Sequence, residues 1–210
     1  DWEPIESGQS TAFRFPVQFI VRAENNFRGY AGTVVAGEVR PGDEVVIADS
    51  GRSARIERIV AFGGDLDVAV TGQAVTLTLD HEVDVTRGDV IAAAGPDAVQ
   101  PADRFAVDMV WLGEEPLAHG RSYLLMSGSR SVPATVTNVR HRLDVVSGAH
   151  SAARLLEMNE IGRAEIATDR PLPMDPYELC RDTGGFLLVD RVTADTVAAG
   201  LTRHAMRRAF

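Results

Sequence analysis

Apolar and polar residues alternate along much of the chain with the two-residue period of half-buried β-strands. The clearest case is Val75, Leu77 and Leu79, which alternate with polar residues. Similar segments recur about every eight to twelve residues and are separated by turns that contain Gly, Pro and Asp. This spacing is typical of β-sandwiches and β-barrels, so it predicts an all-β fold.

The expected strands fall into two groups. The first group comprises residues 13–22, 29–40, 44–48, 52–62, 75–79 and 90–92. The second comprises residues 105–111, 121–126, 132–139, 162–168, 185–191 and 193–206. Helix is expected only at residues 150–158, for one or two turns, because this apolar stretch is too short to be stable without packing.

A length of 210 residues favours two modest cores over one large one. Residues 1–12 are polar and lack periodicity, which indicates an extended lead-in from something upstream. Residues 13–95 are expected to form a first β-barrel and residues 103–210 a second. Residues 96–102 lie between them in a proline-containing, small-residue stretch that is typical of a linker.

Composition narrows the class of protein. Hydrophobic residues make up 45% and charged residues 24%, as in an ordinary globular protein. There is no apolar run of about eighteen residues and no basic-then-apolar leader, so we expect a cytoplasmic protein without a membrane segment. Cys180 is the only cysteine, which excludes an internal disulfide and a four-cysteine metal site.

The charged residues exclude further chemistry. All 21 Lys and Arg residues are arginine, so a P-loop lysine and a Schiff-base lysine are absent from these 210 residues. The net charge of −9 disfavours broad nucleic-acid binding. The only dense basic run contains Arg203, His204, Arg207 and Arg208, and we interpret it as a solvated end of the chain.

Motifs that resemble nucleotide or acid–base sites have simpler explanations. Residues 182–185 (DTGG) fit the D-x-x-G pattern of GTPases, but no phosphate-binding loop accompanies them, so we expect a β-turn before Phe186. The glycines Gly29, Gly32 and Gly37 precede a strand instead of a helix, which indicates tight β-packing. The pairs Glu114-Glu115 and Asp65/Asp67 lie in turn sequence, where solvated carboxylates are normal.

The histidines do not suggest a metal site. They are scattered, without the spacing of metal ligands, and we expect them at the surface or rim: His81, His119, His141, His150 and His204. We therefore predict no catalytic, cofactor-binding or metal-binding residue in this chain.

Several segments carry a family resemblance. The first half contains GTV at residues 32–34, Gly42-Asp43 and RGDV at residues 87–90, in an order that resembles the second domain of translational GTPases. The runs at residues 13–18 (FRFPVQ), 27–32 (FRGYAG), 59–65 (IVAFGGD), 115–125, 156–162 (LEMNEIG) and 168–190 resemble the GTPase subunit of bacterial sulfate adenylyltransferase. The resemblance covers nearly all of residues 13–208.

This resemblance implies two consecutive β-barrels, similar to domains two and three of translation elongation factors. It implies an upstream G domain that binds GTP and magnesium, and a catalytic partner subunit that makes adenylyl sulfate and pyrophosphate from ATP and sulfate. In some members an adenylyl-sulfate kinase is fused downstream. The barrels themselves would be a non-catalytic scaffold and coupling surface.

Two groups of arginine- and aromatic-bearing loop residues are candidates for a protein interface. They are Phe27, Arg28 and Tyr30 in the first half and Arg170, Tyr177, Arg181 and Asp182 in the second. Two alternatives stay open. Barrels of an elongation factor-like GTPase that bind tRNA would need a basic groove, and an independent β-barrel enzyme would need a carboxylate pair in a cleft.

Overall fold

The computed structural model describes residues 12–23, 27–144 and 146–206. Its elements are almost all β-strands, so the predicted all-β fold is confirmed. The chain divides into two compact units between Gln100 and Pro101. No helix within the described ranges is long and apolar enough to cross a membrane.

The first unit is a closed six-stranded barrel. The strands run in the order β4-β9-β1-β2-β8-β5, and a second pairing between β5 and β4 closes the ring. Short strand β6 pairs antiparallel with the end of β5, while β3 and β7 pair separately. The strands are β1 (Arg14–Ala23), β2 (Phe27–Thr33), β3 (Glu38–Val39), β4 (Glu44–Ile47), β5 (Arg52–Ala61), β6 (Gly64–Asp65), β7 (Ala69–Val70), β8 (Ala74–Leu79) and β9 (Val90–Ala93).

Alternating apolar residues from these strands fill the first barrel. Phe15, Tyr30, Ile59, Leu77 and Ile91 are fully buried in one cluster. Each of the six main strands pairs with a neighbour on both sides along part of its length, so the ring has no edge strand.

The stretch expected to be a linker packs on this barrel. Val99 is buried with Ala48, Val90 and Ala92 in a small separate cluster. The guanidinium of buried Arg14 donates a hydrogen bond to the carbonyl of Asp97 at 2.8 Å. Residues just before the division at Gln100 therefore contribute to the packing of the first unit.

The second unit is also a closed six-stranded barrel, with the order β11-β15-β16-β10-β14-β12 and closure between β12 and β11. Strand β13 pairs antiparallel with the end of β12. The elements are β10 (Ala102–Trp111), β11 (Ser122–Ser127), β12 (Arg130–Leu143), β13 (His150–Ser151), β14 (Ile161–Leu172), α1 (Arg181–Gly184), β15 (Gly185–Asp190) and β16 (Thr196–Ala205). In its core, the rings of Trp111 and Tyr123 meet edge to face at 5.7 Å.

The helix expected at residues 150–158 is wrong. His150 and Ser151 form β13, and the following residues turn until β14 begins. The carbonyl of Leu156 accepts from the amide of Leu117 at 2.9 Å, and the side chain of Leu156 is fully buried. Pairing with a neighbouring loop and one core side chain thus outweigh the weak helical preference of this short segment.

The β-turn expected before Phe186 is also wrong, because residues 181–184 form one turn of α-helix, α1. The amide of Gly184 donates to the carbonyl of Cys180 at 2.9 Å, which is a helical i to i−4 bond. A Cβ at position 184 would lie 2.5 Å from the Cα of Tyr177, so glycine permits the close packing of this turn.

Candidate protein interface

Three of the predicted interface residues share one concavity on the first barrel. Phe27, Arg28 and Tyr30 all lie on β2, at its start and middle. With residues of β5, β8 and the loop after β8 they line a cavity of about 340 Å³, whose other residues are Glu57, Arg58, Thr78, Leu79, Asp80, His81 and Glu82. The sequence grouped the three aromatic and basic residues, but it could not show that carboxylates surround them.

Arg28 is held in this cavity by its neighbours. Its guanidinium carbon lies 5.6 Å from the centroid of the Tyr30 ring, and Nη1 donates to Glu82 at 3.1 Å. The hydroxyl of Tyr30 donates to the carbonyl of Val83 at 3.1 Å, which ties β2 to the loop that carries Glu82. Burial raises the pKa of Tyr30, although the positive charge of Arg28 opposes this shift.

One polar atom in this cavity is left without a partner. The Nε of Arg28 is buried and makes no hydrogen bond within the described part of the chain. Nearby Arg58 differs, because its guanidinium donates to both oxygens of Asp65 at 2.7 and 3.0 Å. The Nε of Arg28 is therefore a buried donor that the described residues leave unpaired.

The predicted interface residues of the second barrel lie in the chain between β14 and β15 and at its borders. Arg181 and Asp182 are exposed on α1, and Tyr177 is half-buried just before it. The amide of Tyr177 donates to the carbonyl of Thr202 at 2.8 Å, and buried Thr183 donates to Asp175 at 2.7 Å. Arg170 is exposed close to the end of β14.

Beside this segment, strand pairing assembles a charged row that the sequence did not reveal. Asp108 accepts from Arg163 at 2.8 and 3.2 Å and from Arg203 at 2.5 Å. Arg203 also pairs with Glu178. Burial alone would raise the pKa of Asp108, but the two guanidinium groups outweigh burial and hold it below its usual range. Arg203 is exposed, as expected of a solvated residue, yet it belongs to this network.

The outer surface of the second barrel carries an apolar row. Met126, Leu187, Ala199, Val110 and Ile161 occupy successive register positions on β11, β15, β16, β10 and β14. The side chain of Leu201 borders the row, and a shallow groove of about 380 Å³ lies over Gly185, Ala199 and Gly200. Met126, Leu187 and Leu201 are 41%, 42% and 40% exposed. We name Met126, Leu187, Ala199, Val110, Ile161 and Leu201 the apolar face.

Two histidines that are nine residues apart in sequence meet in space. The rings of His141 and His150 stack at 4.2 Å on the β12–β13 hairpin. Burial, together with the neighbouring His150 and Arg163, lowers the pKa of His141. Among the described residues, no three side chains of His, Cys, Asp or Glu gather as a metal-ligand set.

Many arginines of both barrels form ion pairs with carboxylates. At least nine of them lie within 4.0 Å of a carboxylate: Arg28, Arg40, Arg55, Arg58, Arg121, Arg140, Arg142, Arg163 and Arg203. Paired cations contribute less to an attractive potential for phosphate than free ones.

Comparison with known protein families assigns both barrels. Residues 30–92 match the family described as elongation factor Tu domain 2. Residues 104–203 match the family described as GTP-eEF1A C-terminal domain-like. The two matches lie on the two units in chain order, and they confirm the implied elongation factor-like pair of barrels.

Curated relatives give a more specific comparison than the two domain families. The bifunctional enzyme NodQ of Rhizobium sp. (strain N33) is 50% identical over 199 residues, which cover 94% of this chain and 30% of that protein. Sulfate adenylyltransferase subunit 1 of Laribacter hongkongensis is 44% identical over 194 residues, which cover 92% of this chain and 40% of that protein. The chain is a homologue of these two proteins. It thus spans about a third of the length of the curated relatives that it matches.

Solved structures agree on the fold of this chain. Sup35 in complex with GDP superposes with a TM-score of 0.83 at 19% identity, covering 93% of this chain and 48% of Sup35. Sup35 in complex with GMPPNP gives the same TM-score and identity over 99% of this chain and 50% of Sup35. At 19% identity this likeness shows only that the two barrels have the same fold.

Proposed function

We propose that the two barrels are the non-catalytic scaffold and coupling surface of a GTPase subunit of sulfate adenylyltransferase. In this proposal, a G domain that binds GTP and magnesium precedes the barrels, and the partner subunit makes adenylyl sulfate and pyrophosphate from ATP and sulfate in the cytoplasm. The name of the relatives, subunit 1, supports an enzyme of more than one subunit.

The observation that carries the proposal is the apolar face. In a water-exposed barrel the side chains that point outward are normally polar. A contiguous apolar patch on such a surface marks a site of protein interaction. Leu187 and Leu201 are each more than a third exposed on this face, which crosses five strands. Because the ring of strands is closed, a partner would dock on this face through side chains and not by adding a strand.

Coupling sets a further requirement. A partner that binds equally well to the GTP and GDP states transmits nothing between them, so the barrels must present their surface differently in the two states. The charged row of Asp108, Arg163 and Arg203 borders the apolar face, because Asp108 and Leu201 are register partners. Charged groups at the rim of an apolar contact favour one orientation of the partner over others.

The tRNA-binding alternative has less support. It needs free basic groups, whereas at least nine arginines are paired with carboxylates. The net charge of −9 also opposes a polyanion.

The test is a calorimetric titration of the 210-residue chain into the cognate adenylyl-transferring subunit, with bulk tRNA as a second titrant. We expect saturable binding to the subunit that falls about tenfold or more in Leu201→Glu and Leu187→Glu, since a buried charge in an apolar contact is costly. Val192→Glu is the control, because Val192 is an exposed apolar residue in the turn between β15 and β16.

Two results would overturn the proposal. One is the absence of heat at two temperatures when a folded chain is titrated into the subunit, because an apolar contact can bind with little heat at a single temperature. The other is tRNA binding that weakens steeply with salt, which would assign the barrels to a translation factor.

A further inference from the structure

We propose that the stacked imidazoles of His141 and His150 are a pH-sensitive contact at one end of the apolar face, which holds β12 and β13 together while the rings are neutral and separates when both are protonated. The inference rests on the proposed function for its consequence, because separation of the rings weakens docking of the adenylyl-transferring subunit on this face. The contact itself lies within the second barrel and is measured without the partner.

Strand register places the two histidines at the ends of two outer rows. Ile161 on β14 is the register partner of Leu143 on β12, and Leu143 is in turn the partner of His150 on β13. Because residues that face each other across two strands point to the same side of the sheet, the apolar row continues through Leu143 and ends at His150. His141 is the register partner of Arg163, so it extends the charged row in the same way.

The two rings contact each other face to face. Their centroids are 4.2 Å apart and their planes differ by 12°. Two neutral rings, or two rings that share one proton, are compatible with this arrangement, whereas two imidazolium ions at this distance repel each other. The stack of His141 on His150 therefore admits one positive charge but not two.

Positive groups face the pair from neighbouring strands. His150 faces His141 from β13, and Arg163 faces it from β14. On β12 itself, Arg140 and Arg142 are the sequence neighbours of His141. These two arginines are paired with carboxylates, namely Glu165 and Glu160.

Asp108 on β10 is the carboxylate that attracts a proton to His141. It already accepts from Arg163 and Arg203, so little of its charge is left to offset a further cation. Burial, and after it His150 and Arg163, outweighs the attraction of Asp108 and lowers the pKa of His141 from its ordinary value of about 6.5. The second proton is therefore taken up only below about pH 6.5, and the neutral stack prevails above it.

Docking on the apolar face favours the neutral pair. A partner that covers Ile161 and Leu143 reaches His150, the next residue of the row, and removes water from it. Removal of water disfavours the charged form of an imidazole. Protonation and docking therefore oppose each other, and by linkage the affinity for the partner falls as the pH falls from about 8 to about 5.5.

The contact is measured first in the 210-residue chain alone, by amide hydrogen exchange at about pH 8 and about pH 5.5, corrected for the intrinsic effect of pH on exchange. The amide of Asp144 donates to the carbonyl of Ala149 at 2.9 Å, in the chain between the two histidines, and it reports the pairing of the hairpin. We expect its protection to fall about fivefold or more at the lower pH, because the two charged rings repel each other.

Two variants at one position give opposite expectations. His150→Phe keeps a ring that stacks but carries no charge, so protection of the Asp144 amide should be the same at both pH values. His150→Lys carries a charge at both, so protection should be low at both. His204→Phe is the control and should behave like wild type, because His204 is an exposed histidine on β16 of the same barrel.

Two results of the exchange measurement would refute the contact. One is equal protection of the Asp144 amide at both pH values in the wild-type chain. The other is an equal fall in wild type and in His150→Phe, since another group would then be responsible.

The link to docking is measured by titrating the same variants into the adenylyl-transferring subunit at both pH values. The subunit has titrating groups of its own, so the quantity compared is the ratio of the affinity at the higher pH to that at the lower. We expect this ratio to be about threefold to tenfold larger for wild type and His204→Phe than for His150→Phe.

The outcomes separate this inference from the proposed function. If wild type and His150→Phe give the same ratio, the link between the histidines and docking is refuted and the scaffold role stands. If the folded wild-type chain binds the subunit at neither pH, the scaffold role is refuted together with the link, while the exchange measurement still decides whether the histidine contact is sensitive to pH.

Discussion

At the scale of single residues, Asp108 shows how one carboxylate organises an outer surface. Its pKa is held low in the folded state by Arg163 and Arg203, so its ionised form stabilises the fold above the unfolded-state pKa of about 4. That contribution is lost as the pH falls through the lower, folded-state pKa. We predict that Asp108→Asn lowers the free energy of unfolding by about 1–3 kcal/mol at pH 7, and that the difference from wild type shrinks below about pH 4.

Urea unfolding at pH 7 and at about pH 3 would measure this difference. Asp67→Asn is the control, because Asp67 is exposed. An equal loss at both pH values would show that the charge of Asp108 is not what stabilises the row.

Gly200 is a residue whose lack of a side chain is required by packing. An added Cβ would lie 2.1 Å from the ring of Phe186, its register partner on β15. We predict that Gly200→Ala costs about 1–3 kcal/mol of unfolding free energy, because the ring must move within a filled core. Gly185→Ala should cost less, since its nearest atom would be 3.3 Å away. Equal costs in urea unfolding would refute the steric explanation.

At the scale of elements, the hydroxyl of Thr183 connects α1 to the segment that precedes it. Buried Thr183 donates to Asp175 and thereby joins the helical turn to the segment before it. We predict that Thr183→Val, which keeps the shape but removes the donor, costs about 1–3 kcal/mol and speeds amide exchange in residues 173–184. Thr183→Ser keeps the hydroxyl and should restore protection. Unchanged exchange in Thr183→Val would mean that packing alone holds the turn.

The success of the sequence-based predictions also differed between elements. Long strands such as β8 and β10 show a period of two because one face of each is buried, so alternation locates them. Residues 150–158 and 181–184 are short, and their conformations are decided by distant partners such as Leu117 and Asp175. The stacking of His141 on His150 and the pairing of Asp108 with Arg203 depend likewise on strand register, which a pattern along one chain does not specify.

At the scale of the whole molecule, the two-barrel fold could be predicted because family motifs and alternation extend along most of the chain. The apolar face could not, since its members lie on five strands that become neighbours only through the pairing order of the sheet. The cavity around Arg28 could be predicted only in part. Phe27, Arg28 and Tyr30 were candidates from sequence, but the unpaired Nε and the surrounding carboxylates emerge only in the fold.

The position at which the first unit ends has a measurable consequence. A fragment of residues 1–95 lacks Val99, which packs against Ala48, Val90 and Ala92, and lacks the Asp97 carbonyl that accepts from buried Arg14. We predict that it is about 2–4 kcal/mol less stable than a fragment of residues 1–100, because an apolar contact and an acceptor for a buried cation are both lost. Chemical unfolding of the two fragments measures this, and Val99→Ala in the longer fragment should lower its stability by part of the difference. If the two fragments unfold at the same denaturant concentration, residues 96–100 are only a linker and the first barrel is complete without them.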